Sequence, residues 1–140
     1  MIRLATAEDA LAIHARRMAS LGVSELALIP IDERVICAFD DASQDFLFAS
    51  LTDLAERTPQ SDPFWIVGCF VASPGTLRSL VKTFALALQQ RQFGATRVVW
   101  PPQKSPLLET KVTTLLAPRT TTITGRLFWE YTASETLAKI

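Results

Sequence analysis

Few side chains in this sequence are of types that perform acid–base chemistry near neutral pH. His14 is the only histidine, and it lies on the predicted apolar stripe of the first helix. That position favours a packed histidine over a general base that faces a substrate. The carboxylates of Glu130 and Asp62 flank predicted strands, where each either borders a cleft or lies at a solvated rim. Tyr131, the only tyrosine, is expected to pack as an aromatic residue of a sheet.

The sequence lacks the residue combinations of common metal and nucleophile sites. One histidine and two distant cysteines, Cys37 and Cys69, do not form a zinc site, and no carboxylates have the spacing of a calcium loop. No Ser/His/Asp set is indicated either. Both cysteines stand in apolar segments, so we expect reduced thiols in the core rather than a reactive or bridged pair. We therefore predict no metal.

Length and composition indicate one globular unit. The chain has 140 residues, of which 49% are hydrophobic and 20% are charged, so we predict a single domain over residues 1–140 and exclude a disordered or collagen-like chain. The longest uncharged apolar run, residues 64–72, is far shorter than the roughly 20 residues that a membrane-spanning helix needs. Acidic residues follow the start closely, which argues against a secretory signal. A cytoplasmic protein without a membrane segment is expected.

The formal net charge is zero, which provides no global field to attract nucleic acid. The two halves differ, however. Residues 1–75 hold five basic and eleven acidic side chains, a balance of −6, whereas residues 76–140 hold nine basic and three acidic ones, a balance of +6. This asymmetry is consistent with an anion site in the second half, with complementary docking surfaces, or with unevenly charged solvated faces.

The first third of the chain predicts one strand and two helices. Residues 2–5 have the pattern of a short strand, and residues 6–9 (Thr-Ala-Glu-Asp) that of a capped helix start. We expect this helix to end near Leu21, before Gly22, and to bury a stripe of Leu11, His14 or Ala15, and Met18. A second, short helix is predicted over residues 32–41 from the spacing of Val35, Ile36 and Phe39.

The centre of the chain predicts two buried strands and a long helix. Residues 46–51 are apolar on both alternating faces, as in a strand covered from two sides, and residues 52–63 are expected to form a loop. Residues 64–72 predict a buried strand with a bulge or a close backbone approach at Gly68. A turn then leads into a helix over residues 76–92, whose buried face comprises Leu77, Leu80, Val81, Phe84 and Leu88.

The last third completes a strand–helix–strand crossover. Residues 97–100 predict a strand parallel to the preceding one, and a further helix is expected from Ser105 to about Leu116. One or two antiparallel strands are predicted from Thr120 to Tyr131, and residues 133–140 are expected to be loose or weakly helical. Tryptophans begin or end three of the strands, where they either fill the margin of the core or stack on a ligand or partner; these are Trp65, Trp100 and Trp129.

These elements predict an α/β fold with a mixed, mostly antiparallel sheet, helices on its flanks and a central parallel crossover. Two segments resemble the GNAT N-acetyltransferase superfamily at its start: residues 1–13 (MIRLATAEDALAI) are similar to the opening strand and helix, and residues 31–35 (IDERV) resemble the second helix. Residues 69–84, followed by residues 93–100, are similar to the family's cofactor-binding strand, loop and helix with the next strand. In the order of elements the resemblance covers nearly the whole chain.

The resemblance implies acetyl-CoA as the cofactor and a small-molecule or protein amine as the acceptor. In the family, acetyl-CoA lies in a V-shaped gap between two splayed parallel strands. By position, the pantetheine pairs with Cys69, Phe70 and Val71. The pyrophosphate rests on the start of the following helix, where N–H donors and a partial positive charge attract anions; the corresponding residues are Gly75, Thr76, Leu77, Arg78 and Ser79. Arg78 and Lys82, one helical turn apart, add positive charge.

The loop departs from the family pattern Gln/Arg-x-x-Gly-x-Gly/Ala. Residues 74–79 (Pro-Gly-Thr-Leu-Arg-Ser) contain one glycine, and we expect Leu77 to obstruct the phosphate cradle, since glycines let the backbone curl around a phosphate. Family members often use a tyrosine on or just after the last helix as the general acid, a place that Tyr131 does not match. His14, Glu130 and Tyr131 are therefore only weak catalytic candidates.

Loop loss of this kind resembles that of short GNAT-like proteins of tailed bacteriophages, some of which resemble virion or internal-core components more than enzymes. Two functions are therefore considered: acetyl transfer from acetyl-CoA to an amine, and a non-catalytic structural or assembly role with other virion proteins or copies of the chain. The second function implies host cytoplasm or the virion as the location. Neither implies a nucleic-acid partner.

Overall fold

The computed structural model describes residues 1–25, 28, 31–52, 64–73, 75–100, 114–116, 119–123 and 125–139. Along these residues the chain forms β1 (Ile2–Leu4), a 3-10 turn (Ala7–Asp9), α1 (Ala10–Leu21), β2 (Val35–Asp40), β3 (Phe46–Thr52), β4 (Phe64–Val71), α2 (Leu77–Gln90), β5 (Arg97–Trp100), β6 (Arg119–Ile123), β7 (Arg126–Thr132) and α3 (Ala133–Lys139). The seven strands form one sheet in the order β1-β2-β3-β4-β5-β7-β6. The predicted mixed α/β architecture is confirmed.

Two cores lie on opposite faces of this sheet. On one face, α2 packs its predicted apolar stripe, buried throughout, against alternating residues of β2 to β5 and β7. On the other face, Ile13 of α1 packs against a second cluster from β2 and β3, made of Val35, Cys37, Phe39, Phe46 and Phe48. The sheet is therefore covered by helices on both sides in its first half, as a layered α/β fold requires.

The prediction of a second helix over residues 32–41 is wrong, because Val35–Asp40 is strand β2. All six residues of β2 are buried, and the strand pairs antiparallel with both β1 and β3. Ile36 and Ala38 face the core under α2, and Cys37 faces the core under α1. A short continuous apolar run matches strand and helix spacing equally well, so burial on both faces decides the structure here.

The buried stripe of α1 also differs from the predicted one. Leu11 is 72% exposed, whereas Ile13 is buried. Arg17 is buried with it, and its guanidinium carbon lies 4.9 Å from the centre of the Phe48 ring. The stem of an arginine can cover apolar surface as a leucine does. Arg17 is therefore part of the buried stripe, whereas Leu11, which hydropathy placed there, is exposed.

Arg3 links β1 to the turn before α1 and to the end of β2. Its guanidinium donates hydrogen bonds to both carboxylate oxygens of Asp9, at 2.8 and 2.9 Å, and to those of Asp41. Asp9 also accepts a bond from the Thr6 amide, so the predicted capping pattern is confirmed. The hydrogen bond from Arg3, more than that from Thr6, holds the pKa of the Asp9 carboxyl well below its ordinary value.

The remaining elements agree with the sequence where the structure describes them. The predicted strands at Phe46, Phe64, Arg97 and the two after residue 118 are present, and residues 114–116 are helical. Ser134 donates hydrogen bonds from its amide and its hydroxyl to the Gly94 carbonyl, which fixes α3 beside the end of α2.

Residues 53–63, with Asp62, and most of the predicted helix over residues 105–116 lie outside the described residues. No helix of the described part meets the length and hydropathy of a membrane span.

Gly22 ends α1 as predicted, with a left-handed φ of 68° and no atom within 4 Å of the position that a Cβ would occupy. Gly22→Ala is expected to lower the free energy of unfolding by about 1 kcal/mol, because an L side chain strains this backbone conformation. Gly75→Ala is the matched control, since Gly75 lacks a positive φ and its Cβ would meet only Ser73 Oγ at 3.9 Å. Urea denaturation of the two variants should show a loss for the first and little change for the second.

Candidate functional site

The candidate site is the second half of β4 on the side of β5, which we call the gap because the described residues show no strand paired with it there. Among the described strands, β4 and β5 are the parallel pair, joined at Trp65–Val98 and Ile66–Val99. Beyond these pairs β4 continues to Val71, whereas β5 ends at Trp100. The backbone of residues 69–71, predicted to bind pantetheine, therefore extends past the part of β4 that pairs with β5.

A β-bulge in β4 accompanies this gap. Phe48 of β3 pairs with Cys69, but the next residue, Ala49, pairs with Val67, so Gly68 is an extra residue without a partner in β3. A bulge bends its strand and increases the local twist, and glycine tolerates such a position well. The sequence-based prediction of a bulge at Gly68 is confirmed.

Asp45, which no sequence motif indicated, organises the loop between β4 and α2. Its Oδ2 accepts hydrogen bonds from the Thr76 hydroxyl at 2.8 Å and from the Ser73 amide at 3.2 Å. Arg16 of α1 approaches its Oδ1 at 3.6 Å. Thr76 and Asp45 are 31 residues apart, so no local pattern indicates their contact. One carboxylate thus links α1, the start of β3 and the start of α2.

The backbone of this loop is largely hydrogen-bonded within the protein. The Thr76 and Leu77 amides both donate to the Ser73 carbonyl at 3.1 Å, and the Ser73 amide donates to Asp45 and to the Thr76 hydroxyl. Since a helix N-terminus attracts anions through unpaired N–H groups, these internal bonds reduce the number of donors that a phosphate would find.

The predicted phosphate-binding residues differ in where their side chains lie. Leu77 is 4% exposed and packs in the core beneath α2. The helix turns the Leu77 side chain inward, and whether Leu77 obstructs a phosphate stays a prediction. Thr76 is half-buried, and the remaining predicted residues of the helix start are exposed; these are Gly75, Arg78, Ser79 and Lys82. The side chains of Cys69, Phe70 and Val71 lie outside the described part of the structure.

The three weak catalytic candidates do not converge. Tyr131 is 1% exposed and lies in the core beneath α2, where burial raises the pKa of its hydroxyl far above the ordinary value. Its hydroxyl has no hydrogen-bond partner among the described residues. A neutral hydroxyl sealed in the core does not exchange protons with a substrate in the gap, so the packed role predicted for Tyr131 agrees with the structure.

Glu130 lies closest to the gap in register. It pairs with Val99 of β5, the residue that also forms the last β4–β5 pair. Its carboxylate contacts Arg97 Nε at 3.5 Å, and the Arg97 guanidinium also lies 5.1 Å from the centre of the Phe64 ring. His14 is half-buried on α1, and its Nδ1 is buried without a hydrogen-bond partner in the described residues. A carboxylate near the gap is thus present but already paired.

The three tryptophans belong to the core, the first of the two roles considered for them. Trp65 and Trp100 are completely buried and Trp129 nearly so. The Trp65 ring meets Phe93 edge-on, with ring centroids 5.5 Å apart. None of these rings is exposed for stacking on a ligand at the surface of the described structure.

A cavity of about 580 Å³ lies away from the gap, between the segment before β2 and the end of α2, beside Ile31, Arg34 and Arg91. It lies at the C-terminal end of α2, and its lining includes none of the predicted site residues. The described residues contain no group of three or more metal-ligating side chains. Neither feature adds a residue to the candidate site.

Comparison with known proteins leaves the family open. The sequence matches no protein-family model and no curated protein with significant similarity. The geometry of the chain itself therefore has to support any functional assignment.

Asp45→Ala is expected to lower the free energy of unfolding by about 2 kcal/mol, since it leaves the Thr76 hydroxyl and Ser73 amide without their charged acceptor. Asp45→Asn retains an acceptor oxygen and should cost less than the alanine variant. Urea denaturation measures both values. Equal stability of the wild type and the alanine variant would contradict the linking role of Asp45.

Tyr131→Phe removes a buried hydroxyl that has no partner among the described residues. The variant should unfold at the same or a higher temperature than the wild type, because burying an unpaired hydroxyl is unfavourable. Thermal unfolding followed by circular dichroism tests this. A loss of more than about 1 kcal/mol would indicate that the hydroxyl has a bonding role.

Proposed function

We propose that the chain is a GNAT-like protein that binds acyl-CoA in the gap between β4 and β5 and transfers the acyl group to an amine. The observation that supports this most is the combination of a bulge at Gly68 with a β4 that extends past its two pairs with β5. In the family that the sequence resembles, pantetheine lies along such a bulged strand where two parallel strands separate.

The residues around the gap are compatible with a pantetheine and, less fully, with a pyrophosphate. The backbone of residues 69–71 lies beyond the described β4–β5 pairs, so hydrogen bonds from it to the amides of pantetheine would take the place of further strand pairing. At the helix start, the amides of Thr76 and Leu77 are already hydrogen-bonded to the Ser73 carbonyl. Arg78 and Lys82 are exposed, and their positive charges can attract a phosphate. Binding of the phosphates thus depends on side chains more than on a backbone cradle.

When bound, the thioester would supply the acyl group: an ammonium acceptor would first lose one proton to water, the neutral nitrogen would bond to the carbonyl carbon as the carbon–sulfur bond breaks, and a second nitrogen proton would go to the thiolate. Of the three catalytic candidates, Glu130 lies closest in register to the last β4–β5 pair, because it pairs with Val99. Arg97 orients it through their ion pair. A carboxylate in this position attracts an ammonium group, which favours a cationic amine as the acceptor.

Asp45 supports a second candidate, a non-catalytic GNAT-like module for assembly with copies of itself or other proteins. Its carboxylate provides the negative charge at the start of α2, the position that a cofactor's pyrophosphate would take. A helix whose positive end is already neutralised gains less from an external anion. Exposed apolar side chains, Leu11 and Leu127 among them, are available for contacts with a partner.

Thermal unfolding with acetyl-CoA separates the two candidates. At 100 times its dissociation constant a ligand stabilises the native state by about 2.7 kcal/mol, so the first candidate predicts a rise of several degrees in the unfolding temperature. Arg78→Glu with Lys82→Glu should abolish that rise, whereas Arg126→Glu, an exposed charge reversal on β7, should preserve it. Release of free thiol in the presence of a polyamine then measures transfer.

No rise at millimolar acetyl-CoA would overturn the first candidate. A rise that the double variant retains would overturn the assignment of the phosphates to α2. A monomeric protein that binds acetyl-CoA and releases thiol would overturn the second candidate, for which light scattering should instead detect self-association or binding to another protein.

A further inference from the structure

Within the described structure, Arg17 is a buried cation without a counter-ion. Only 9% of its surface is exposed. Its Nε is buried and has no hydrogen-bond partner among the described residues, and its guanidinium lies over Phe48, with the central carbon 4.9 Å from the ring centre. An aromatic face attracts a cation, but it does not accept the in-plane N–H groups. A buried N–H of a guanidinium without an acceptor is costly.

The neighbouring residue, Arg16, is only partly compensated. Its Nη2 lies 3.6 Å from Asp45 Oδ1, and its Nε is buried and unpaired among the described residues. Among the described residues Asp45 is in contact with Arg16 only, and its other oxygen accepts from Thr76 and Ser73. The two neighbouring guanidinium groups thus have one carboxylate partner among the described residues, that of Arg16, which leaves a local positive charge.

The two guanidinium groups contact residues at and just before the start of β3. Arg16 contacts Asp45 and Arg17 contacts Phe48, residues three apart along an extended segment and hence about 10 Å from each other. Phe48 pairs with Cys69 of β4, so the backbone of the residue that Arg17 covers lies one strand spacing from the bulged strand. His14, three residues before Arg17, adds a third buried nitrogen without a partner in the described residues.

We propose that Arg17, with Arg16 beside it, binds an oxyanion, a carboxylate or a phosphate group, on the α1 side of the sheet. A guanidinium presents N–H donors in a fork that matches either group. The bound anion supplies the acceptors that Arg17 Nε and Arg16 Nε lack within the described structure, and it offsets the excess charge. The anion belongs either to an acceptor substrate or to a phosphate of the cofactor, and the site exists whether or not the chain binds acyl-CoA.

Arg17→Met tests the proposal, because methionine retains an unbranched stem against Phe48 but removes the cation. Arg126→Met, the same change at an exposed position on β7, is the control. Titration calorimetry with inorganic pyrophosphate and with succinate is expected to show binding of at least one probe to the wild type. Arg17→Met should weaken that binding at least about tenfold, and Arg126→Met should leave it unchanged.

Stability without a ligand provides a second readout. Removing an uncompensated buried charge should raise the unfolding temperature of Arg17→Met by about 2 °C or more, whereas a purely structural cation–π contact predicts a decrease. Binding of neither probe, or equal binding by wild type and Arg17→Met, would overturn the proposal.

Acetyl-CoA identifies the source of the anion. If Arg17→Met weakens pyrophosphate binding and also reduces the thermal shift with acetyl-CoA, the anion is a cofactor phosphate. If it weakens succinate binding and leaves the acetyl-CoA shift intact, the anion belongs to the acceptor. Probe binding that depends on Arg17 in a protein without any acetyl-CoA shift would support this site while overturning the proposed function.

Discussion

The way β4 pairs with its two neighbours underlies the rest of the structure. On one side it follows β3 for its whole length, with one extra residue at Gly68; on the other it pairs in parallel with β5 at Trp65 and Ile66. A parallel pair needs a crossover connection, and α2 is that connection, buried by seven residues against the sheet. The gap, the loop at its mouth and the start of α2 all follow from this arrangement.

The charge at the start of α2, beside the gap, is negative, although the resemblance places an anion there. Asp45 neutralises the start of α2 from within the protein, while α1 buries the guanidinium of Arg17, whose Nε has no acceptor in the described structure. Negative charge therefore lies where the resemblance implies a phosphate, and surplus positive charge lies on the neighbouring helix. Since buried charges are costly unless paired, this distribution points to a role for Arg17 beyond packing.

The proposed acyl transfer and the assembly role depend on different parts of the molecule. Acyl transfer relies on backbone geometry, namely the bulge and the open side of β4, together with exposed cations on α2. The assembly role is supported by the loop before α2, whose hydrogen-bonding groups are used within the protein because Ser73, Thr76 and Asp45 bond one another. Both use the same fold, because a site is a local feature that a common architecture can carry or lose.

The sequence by itself determined the elements whose patterns are local: the strands from Phe46 and Phe64, the bulge at Gly68, the apolar face of α2 and the stop at Gly22. Tertiary structure decided the rest. Val35–Asp40 became a strand because both its faces are covered, and Leu77 turned into the core because α2 packs there. The contacts of Asp45 with Thr76 and of Arg17 with Phe48 join residues about 30 positions apart. Hydropathy and spacing record only neighbours along the chain, so such contacts leave no signal until the sheet brings the segments together.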